Sequence, residues 1–360
     1  MKTNSNILLI FGYPSKLLSA GGLVWTKRVA DYIDKNQILT VKKISNDIVI
    51  GKSIVYCIIR YMQNALKGFF ADPDVAILDS YGEANLILWI LLRIFKPRTK
   101  ILTVFHHYEP RALPCKNTHI PNILKVIYNR MIDKATKTMI RDSNRVLTVS
   151  ISSARQLNSI FGISNNGKKV VVVGASVDAF PVYYVKRRDI DFLCIGRIEK
   201  FEGLEEIWKS IKERHSKANF VVIGRASQQD IARLRSLGID HKGVVSEREK
   251  IELYSRAQVF IFPSTMEGFG IAVAEALYAG LSVVSWKLPV FDEMYGEFNE
   301  KVKLIDLKNY DLFAQECVTL LKRKHRKLTA NGSKIHFEMV TTWENVGKKV
   351  MSVIEDLESQ

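Results

Sequence analysis

Short apolar runs alternate with stretches of helical spacing along the first half of the chain. Strand-like runs occupy residues 6–12, 74–80, 99–107 and 145–150, and the segment 21–33 repeats its apolar residues every three or four positions. Strands that alternate with helices form parallel sheets, because a helix carries the chain back between parallel neighbours. The pattern predicts a doubly wound α/β domain in this half.

The same alternation starts again in the second half. After an apolar run at 168–180, strand-like runs recur at 191–198, 219–226, 257–264 and 281–286. We expect one helix between each consecutive pair of these strands. The fold class predicted is therefore α/β, with two Rossmann-like doubly wound domains that face each other across a cleft.

The expected domain boundaries follow from these patterns. The N-terminal domain is expected over residues 1–180, a linker over 181–190 and the C-terminal domain over 191–338. Residues 339–360 include an amphipathic helix, which we expect to pack back on the N-terminal domain. A chain of 360 residues is long enough for two cores, since single cores rarely grow beyond about 300 residues.

The net charge of +16 is confined to one part of the sequence. Residues 1–190 hold 28 Lys and Arg against 12 Asp and Glu, whereas residues 191–360 hold 25 of each kind. Such asymmetry fits a polyanionic partner or an anionic membrane surface that meets the first half. A solvated basic face without any partner fits equally well on charge alone.

Several protein classes are disfavoured by composition. The four cysteines lie far apart without a Cys-x-x-Cys pair, which argues against a zinc site or a disulfide framework and fits a reducing compartment. The N-terminus lacks the pattern of a signal peptide, and the longest apolar run, 86–95, is too short to span a bilayer. These features favour a cytoplasmic protein. No Gly-x-Gly-x-x-Gly follows the first strand, which disfavours a dinucleotide-dependent dehydrogenase.

The segment 257–280 carries the strongest candidate chemistry. A strand is followed by a turn with Glu267, Gly268 and Gly270, and then by a helix that is expected to begin near Ile271. The glycines allow backbone N–H groups to approach a ligand at the positive end of the helix dipole. Glu275 lies eight residues after Glu267, so the two carboxylates could hold hydroxyls on both sides of a phosphate. A capped helix with an exposed glutamate explains the same spacing.

The stretch "FPSTMEGFGIAVAEALYAGLSVV" resembles the signature of GT-B fold retaining glycosyltransferases of family 4, the glycosyl transferases group 1. The resemblance extends along the chain in the family's order, through "GGLVWTKRVADYI", "ILTVFHH", "VVVVGASVDAF" and "FLCIGRIEKFEGLEEI". It implies a metal-independent, hexosyltransferase-type enzyme. Such an enzyme moves a sugar from a nucleotide diphosphate sugar to an acceptor hydroxyl and retains the anomeric configuration.

The resemblance also implies roles for individual residues. Glu267 would bind the donor sugar, Glu275 would bind the ribose, and Arg197 would neutralise the diphosphate. The backbone of Gly268, Phe269, Gly270 and Ile271 would approach the sugar and diphosphate. In the N-terminal domain, Gly21 and Gly22 would approach the donor phosphate or the acceptor, and His106 would lie near the transferred sugar. His107 follows directly, and a structural pair of histidines explains "HH" as well.

One position departs from the family pattern. Glu202 in "GRIEKFEG" stands where the family has a lysine that contacts the diphosphate. A carboxylate there would repel the diphosphate, so Lys200 would have to approach the donor while Glu202 turns away. Lys287 or a cation of the N-terminal domain could serve instead. Loss of activity is the other outcome.

No metal ion or cofactor is expected. The Asp-x-Asp motifs at 72–74 and 189–191 precede strands, whereas a metal site of this kind lies at the carboxyl end of a strand. The partners expected are a nucleotide sugar and a glycan or lipid-linked acceptor of the cell envelope. An anionic membrane surface is a further expected partner, with the protein peripheral on its inner face, and nucleic acid is not expected. Three alternatives stay open: a weak or inactive homologue that binds a membrane surface or nucleic acid, an epimerase, and a phosphorylase.

Overall fold

A computed structural model describes most of the chain. The described residues are 7–12, 21–36, 39–45, 54–108, 122–163, 169–178, 180, 183, 188–298, 300–323 and 342–359. They divide into two compact units, here called the first unit (Met1–Ala175 with Trp343–Gln360) and the second unit (Ser176–Thr342). The first boundary falls five residues before the expected one at 180. Most of the expected linker, 181–190, lies outside the described residues.

The first unit is built on a six-stranded parallel sheet in the order β2-β1-β3-β4-β5-β6. Its strands are β1 (Ile7–Phe11), β2 (Thr40–Ile44), β3 (Val75–Asp79), β4 (Lys100–Phe105), β5 (Arg145–Thr148) and β6 (Val170–Val172). The central strands are mainly apolar because helices cover both faces of the sheet.

The helices of the first unit lie on opposite faces of this sheet. They are α1 (Gly21–Lys35), α2 (Ile54–Phe70), α3 (Glu83–Phe95), α4 (Asn122–Asp142), α5 (Ile151–Phe161) and α12 (Trp343–Glu358). Right-handed crossovers put α2, α3 and α4 on one face, where they share a core with the sheet, and put α1 on the other. The C-terminal helix α12 packs against α1, and its Asp356 accepts a hydrogen bond of 2.7 Å from Arg145 of β5.

The second unit contains another six-stranded parallel sheet, in the order β12-β11-β10-β7-β8-β9. The strands are β7 (Ile190–Ile195), β8 (Phe220–Ile223), β9 (Asp240–Gly243), β10 (Ala257–Phe262), β11 (Ser282–Trp286) and β12 (Val302–Ile305). The order reverses between β7 and β10. In doubly wound sheets, ligands bind at the carboxyl ends of the strands at such a reversal.

Six helices of the described chain surround the second sheet, namely α6 (Leu204–Arg214), α7 (Gln228–Ser236), α8 (Glu247–Arg256), α9 (Ile271–Tyr278), α10 (Pro289–Tyr295) and α11 (Tyr310–Lys322). A short 3-10 helix, Ile198–Lys200, precedes α6. Aromatic side chains fill much of the core, with Trp208, Trp286 and Phe313 all buried.

The sequence patterns located the inner strands but not three edge strands. β2, β9 and β12 lie at sheet edges, and β9 has the sequence Asp-His-Lys-Gly without any large apolar residue. The expectation of a single helix between 226 and 257 is wrong, since β9 separates α7 from α8. An edge strand has only one strand neighbour and less burial, so it needs no continuous apolar run.

Within the described residues, no helix combines the length and apolar character needed to cross a bilayer.

Candidate functional site

Two loops of the second unit meet at the strand-order reversal. Arg197 follows β7 and the loop 263–270 follows β10, and these two strands are hydrogen-bonded neighbours. The loops are joined by a bridge between Phe201 and Ser264 and by the backbone N–H of Glu202, which donates to the carbonyl of Pro263 at 2.9 Å. Segments more than 60 residues apart in sequence therefore adjoin each other at the carboxyl edge of the sheet.

Gly270 determines how the β10 loop enters α9. It caps α9 with φ of 80°, a left-handed conformation that residues with a side chain rarely adopt. A Cβ atom here would also lie 2.4 Å from the ring of Phe291. The helix begins at Ile271 as the sequence predicts. The first backbone N–H groups of a helix have no intrahelical partner, so those at this end of α9 are suited to an anion.

Glu267 lies on the same loop beside two hydroxyl groups. Its Oε1 accepts a hydrogen bond of 2.8 Å from Ser264, which fixes the carboxylate above the end of β10. Within the described chain the buried hydroxyl of Tyr295 has no hydrogen-bond partner. Burial, followed by the charge of Glu267, raises the pKa of Tyr295, so this phenol stays protonated and can donate a hydrogen bond. Phe269, two residues on, is 5% exposed and anchors the loop in the core.

Glu275 is not the exposed helix residue of the alternative interpretation. Lys250 donates to its Oε1 at 2.8 Å and the hydroxyl of Tyr254 donates to its Oε2 at 3.0 Å. The side chains of Lys250 and Glu275 are only 17% and 16% exposed. Burial raises the pKa of Glu275, and Lys250 opposes that shift. Burial by itself lowers the pKa of Lys250. The carboxylates of Glu275 and Glu247 together raise that pKa by more, so it lies above its ordinary value.

Lys250 and Tyr254 are two residues of the site that no sequence pattern indicates. The two residues are separated by one helical turn of α8 and therefore reach the same carboxylate. Their spacing in "EREKIELYSRA" gives no local sign of this role, because α8 and α9 approach each other only in the folded sheet.

Arg197 and Lys200 lie on the β7 loop. Arg197 is the residue before the 3-10 helix and Lys200 is its last residue, and both side chains are half-buried. The backbone N–H of Ile198 donates to the carbonyl of Arg225 at 3.1 Å, which ties this turn to the loop after β8. Arg197 and Lys200 therefore lie on a loop that adjoins the loop leading into α9.

The carboxylate of Glu202 has a hydrogen-bond partner on α11. The hydroxyl of Tyr310 donates to Glu202 Oε1 at 3.1 Å, and the indole of Trp286 donates to the Glu202 carbonyl at 3.3 Å. Burial, with the hydrogen bond to Glu202, raises the pKa of Tyr310 and keeps it a donor. Gly203 makes this approach possible, because a Cβ atom there would lie 2.1 Å from the Tyr310 ring.

The predicted residues of the N-terminal half form a separate group in the first unit. His106 directly follows β4 and is buried, and its Nε2 lies 3.4 Å from Asp79 Oδ2 at the end of β3. The ring stacks edge-on against Trp25 with centroids 5.8 Å apart. A Cβ atom at Gly22 would be 3.2 Å from this ring, so the glycine allows α1 to contact His106.

The other two residues of this group are more accessible. Gly21 is the exposed first residue of α1. His107 is half-buried, and its ring centroid lies 6.3 Å from that of Tyr81. The adjacent histidines therefore occupy different environments.

The two Asp-x-Asp motifs both lie at the amino ends of strands. Asp72 forms an ion pair of 2.7 Å with Lys96, and Asp189 forms one of 2.6 Å with Arg256. Each ion pair lies at the amino edge of its own sheet, whereas the site of the second unit lies at the carboxyl edge of that unit's sheet. Within the described residues, no group of three or more His, Cys, Asp or Glu side chains is arranged to hold a metal ion.

Solved structures of other proteins share this fold. Sucrose-phosphate synthase of Thermosynechococcus elongatus superposes with a TM-score of 0.75 at 14% sequence identity, over 98% of this chain and 99% of that one. The two parallel-sheet units are those of the GT-B glycosyltransferase fold.

Curated relatives are similar over part of their length. An uncharacterized glycosyltransferase of Methanocaldococcus jannaschii is 27% identical over 59% of this chain and 60% of its own. The O-antigen chain mannosyltransferase RfbU of Salmonella typhimurium is 23% identical over 61% of this chain and 60% of its own. The chain thus spans about 60% of the length of these relatives.

A family model adds an assignment for one region of the chain. Residues 178–335, which cover almost the whole second unit and the site at β7 and β10, match the family described as glycosyl transferases group 1. The matched region is thus similar to the glycosyl transferases group 1, and the relatives to which the chain is similar include glycosyltransferases.

Proposed function

We propose that the protein transfers a sugar from a nucleotide diphosphate sugar to an acceptor hydroxyl, with retention at the anomeric carbon. The observation that carries the proposal is the second unit's strand-order reversal, where Arg197, Glu267 and the N-terminus of α9 lie on adjoining loops. Ligands of doubly wound sheets bind at this position, and a helix N-terminus beside an arginine suits a diphosphate.

Each group in the second unit has a role that fits its surroundings. The N–H groups of Phe269, Gly270 and Ile271 would bind the sugar and diphosphate, and Arg197, aided by Lys200, would neutralise the departing charge. Glu267, oriented by Ser264, would accept hydrogen bonds from the donor sugar. Gly268 would let the loop approach that sugar.

Glu275 would accept the ribose hydroxyls. Lys250 and Tyr254 use one position on each of its carboxylate oxygens, and a carboxylate offers about four lone-pair positions. The remaining positions suit two neighbouring hydroxyls.

The transfer step balances without a protein nucleophile. The acceptor oxygen bonds to the anomeric carbon as the bond from that carbon to the phosphate oxygen breaks. The nucleoside diphosphate leaves, and its phosphate oxygen takes the proton of the acceptor hydroxyl on the same face, which retains the configuration. Positioning and charge stabilisation then supply the catalysis.

The first unit is assigned to the acceptor and the transferred sugar, through Gly21, Gly22 and His106. A glycan or lipid-linked acceptor of the cell envelope is proposed. The proposal is supported by the O-antigen chain mannosyltransferase among the relatives.

No metal or other cofactor is required in this proposal, because Arg197, Lys200 and the helix N-terminus supply the positive charge for the diphosphate. Transfer should therefore persist in excess chelator. Activity that disappears with chelator and returns with a divalent ion would contradict metal independence.

Thermal unfolding with UDP-, GDP- and ADP-sugars tests the donor assignment. One nucleotide class at a hundred times its Kd should stabilise the protein by about 2.7 kcal/mol. That corresponds to a rise in Tm of about 8 °C for units of this size. Glu275→Ala should abolish the rise, whereas Glu252→Ala, which removes an exposed carboxylate from α8, should leave it unchanged. Equal behaviour of all three nucleotide classes, or of the two variants, would refute the assignment.

A further inference from the structure

The exposed apolar side chains of this protein are concentrated on one face of the first unit. Of the twenty large apolar side chains that are exposed within the described residues, sixteen belong to the first unit, and fourteen of these lie on α2, α3 and α4. Soluble surfaces carry scattered apolar residues, but a contiguous set on one face indicates a binding surface.

Helix α2 is apolar on both of its sides. Cys57, Tyr61 and Ala65 face the core of the first unit. On the opposite side, an exposed stripe repeats every three or four residues and consists of Ile59, Met62, Leu66 and Phe70. The last of these, Phe70, is 75% exposed. A surface helix of a soluble protein normally presents polar residues on this side.

Helices α3 and α4 continue the same surface. They lie beside α2 on one face of the sheet, so the outer sides of all three helices point away from it together. Ile94 of α3 is 64% exposed and Met131 of α4 is 67% exposed. One turn before Met131, Ile127 is exposed as well. We call the outer sides of α2, α3 and α4 the apolar face.

Basic residues accompany the apolar face. The three helices contain eight Lys and Arg against three Asp and Glu. Along α4 the exposed stripe changes from apolar to basic, with Arg130, Lys134 and Arg141 following Ile127 on the same side. A recess of about 950 Å³ between β2 and α2 opens beside Leu66 and contains Lys42 and Lys67 in its wall.

The three carboxylates of these helices are already engaged within the first unit. Glu83 accepts a hydrogen bond of 2.7 Å from Tyr128, Asp133 accepts one of 3.1 Å from Tyr108, and Asp142 accepts one of 2.7 Å from Trp89. These contacts hold the carboxylates within the first unit without neutralising them, and the excess of eight Lys and Arg over three Asp and Glu leaves the three helices net positive.

We propose that the apolar face docks on an anionic lipid bilayer, with the exposed stripe of α2 among the acyl chains and the cations of α4 at the headgroups. Apolar side chains flanked by Lys and Arg fit an interface that is apolar below and negatively charged above. A second copy of the chain would bring two positive surfaces together, and a nucleic acid would leave the apolar stripe in water. The inference goes beyond the proposed sugar transfer and does not depend on it.

Co-sedimentation of the full chain with vesicles tests the proposal. The protein should bind vesicles of phosphatidylcholine and phosphatidylglycerol in equal parts more tightly than vesicles of phosphatidylcholine alone. The difference should shrink at high salt. In the charged vesicles, Leu66→Ser and Phe70→Ser should each weaken partitioning by about tenfold. Lys134→Glu should weaken it by about fivefold or more.

Matched controls come from the second unit. Val244 and Leu307 are each 50% exposed, so Val244→Ser and Leu307→Ser remove comparable apolar surface there, and Arg235→Glu reverses an exposed charge. These variants should bind vesicles as the unaltered protein does. Thermal unfolding should show that all variants remain folded, since only exposed residues are changed.

Three outcomes would overturn the proposal. The first is that the protein does not bind charged vesicles. The second is that the α2 variants and the control variants lose vesicle binding to the same extent. The third is that the protein binds no vesicles but its molecular mass doubles with rising concentration, and Phe70→Ser restores the mass of a single chain. If the protein binds charged vesicles, the added tryptophan of Phe70→Trp should fluoresce, and brominated acyl chains should quench that fluorescence. Glu275→Ala should bind vesicles normally while losing nucleotide stabilisation, which separates docking from the proposed transfer.

Discussion

The ammonium group of Lys250 on α8 lies 2.8 Å from the carboxylate of Glu275 on α9, and both side chains are largely buried. The pair joins two helices that are separated by β10 in the chain. It also fixes the carboxylate that we assign to the ribose. Removal of one partner leaves a charge with little access to water, which costs more than the loss of an exposed pair.

Lys250→Met should lower the free energy of unfolding by about 2 kcal/mol, because Glu275 would stay buried without its cation. In a Glu275→Gln background the same change should cost about 1 kcal/mol less, since the charge to be compensated is gone. Urea denaturation measures both costs. As a control, Lys209→Met breaks a pair in which the lysine is 60% exposed and should cost less than about 1 kcal/mol. Strict additivity of the Lys250 and Glu275 variants would contradict this account.

The contribution of Lys250 should also depend on pH. The folded protein raises the pKa of this lysine above its ordinary value of 10.5. Its stabilisation is therefore complete below pH 10.5 and is lost as pH rises through the raised value. The difference in unfolding free energy between the unaltered protein and Lys250→Met should be constant from pH 7 to about 10 and should shrink above that range. A difference that grows at alkaline pH would show that the sign is wrong.

Lys200 and Lys287 of the second unit are candidates for the positive charge that a lysine at position 202 would bring to the diphosphate. Lys200→Ala should weaken nucleotide diphosphate binding by about tenfold if this lysine contacts the diphosphate. Lys287, exposed after β11, is the matched comparison, and Lys287→Ala should have little effect. Calorimetric titration measures both affinities. Unchanged affinity in Lys200→Ala would exclude Lys200 as the compensating cation.

Glu202→Lys tests the same position from the other side. The variant loses the hydrogen bond from Tyr310 and gains a cation on the β7 loop, so donor affinity should rise while stability falls by about 1 kcal/mol. Tyr310→Phe removes the hydrogen bond without adding a cation and should reduce stability alone. If both variants bind the donor equally well, the charge at 202 does not act on the diphosphate.

Gly270→Ala should destabilise the second unit strongly. The new side chain must adopt a positive φ, and its Cβ would press on Phe291 at 2.4 Å. Gly238→Ala is the matched control, because Gly238 has φ of 71° and no atom of the described residues within 4 Å of its Cβ position. The control should cost about 1 kcal/mol from backbone strain, and Gly270→Ala about 2 kcal/mol more. Equal costs in urea denaturation would mean that the Phe291 contact is unimportant.

Tyr295→Phe should leave the free protein as stable as before or stabilise it by about 1 kcal/mol, since among the described residues its buried hydroxyl has no hydrogen bond to lose. Tyr254→Phe removes a hydroxyl that donates to Glu275 and to the Ala272 carbonyl, so it should cost about 1 kcal/mol. Thermal unfolding compares the two. A larger loss in Tyr295→Phe would reveal a bond that its hydroxyl makes in solution.

The sequence alone determined the fold class and the positions of the inner strands. Central strands such as β4 and β10 are covered on both faces, so they appear as largely apolar runs that the local sequence pattern identifies. It also determined the β10–α9 turn, because a strand, a glycine loop and a helical pattern follow one another directly. The sequence did not predict edge strands such as β9, because a strand that pairs with only one neighbour is less buried and needs few apolar side chains.

Tertiary structure decided which side chains act on one another. Lys250 reaches Glu275 across 25 positions, Tyr310 reaches Glu202 across 108, and both contacts depend on how the sheet aligns its helices. It also made the apolar face of α2, α3 and α4 visible, because the periodicity of α2 does not reveal which of its two apolar sides is covered. Local sequence reports backbone preference and burial pattern, whereas contacts between distant residues arise from strand order and helix packing, which only the folded chain specifies.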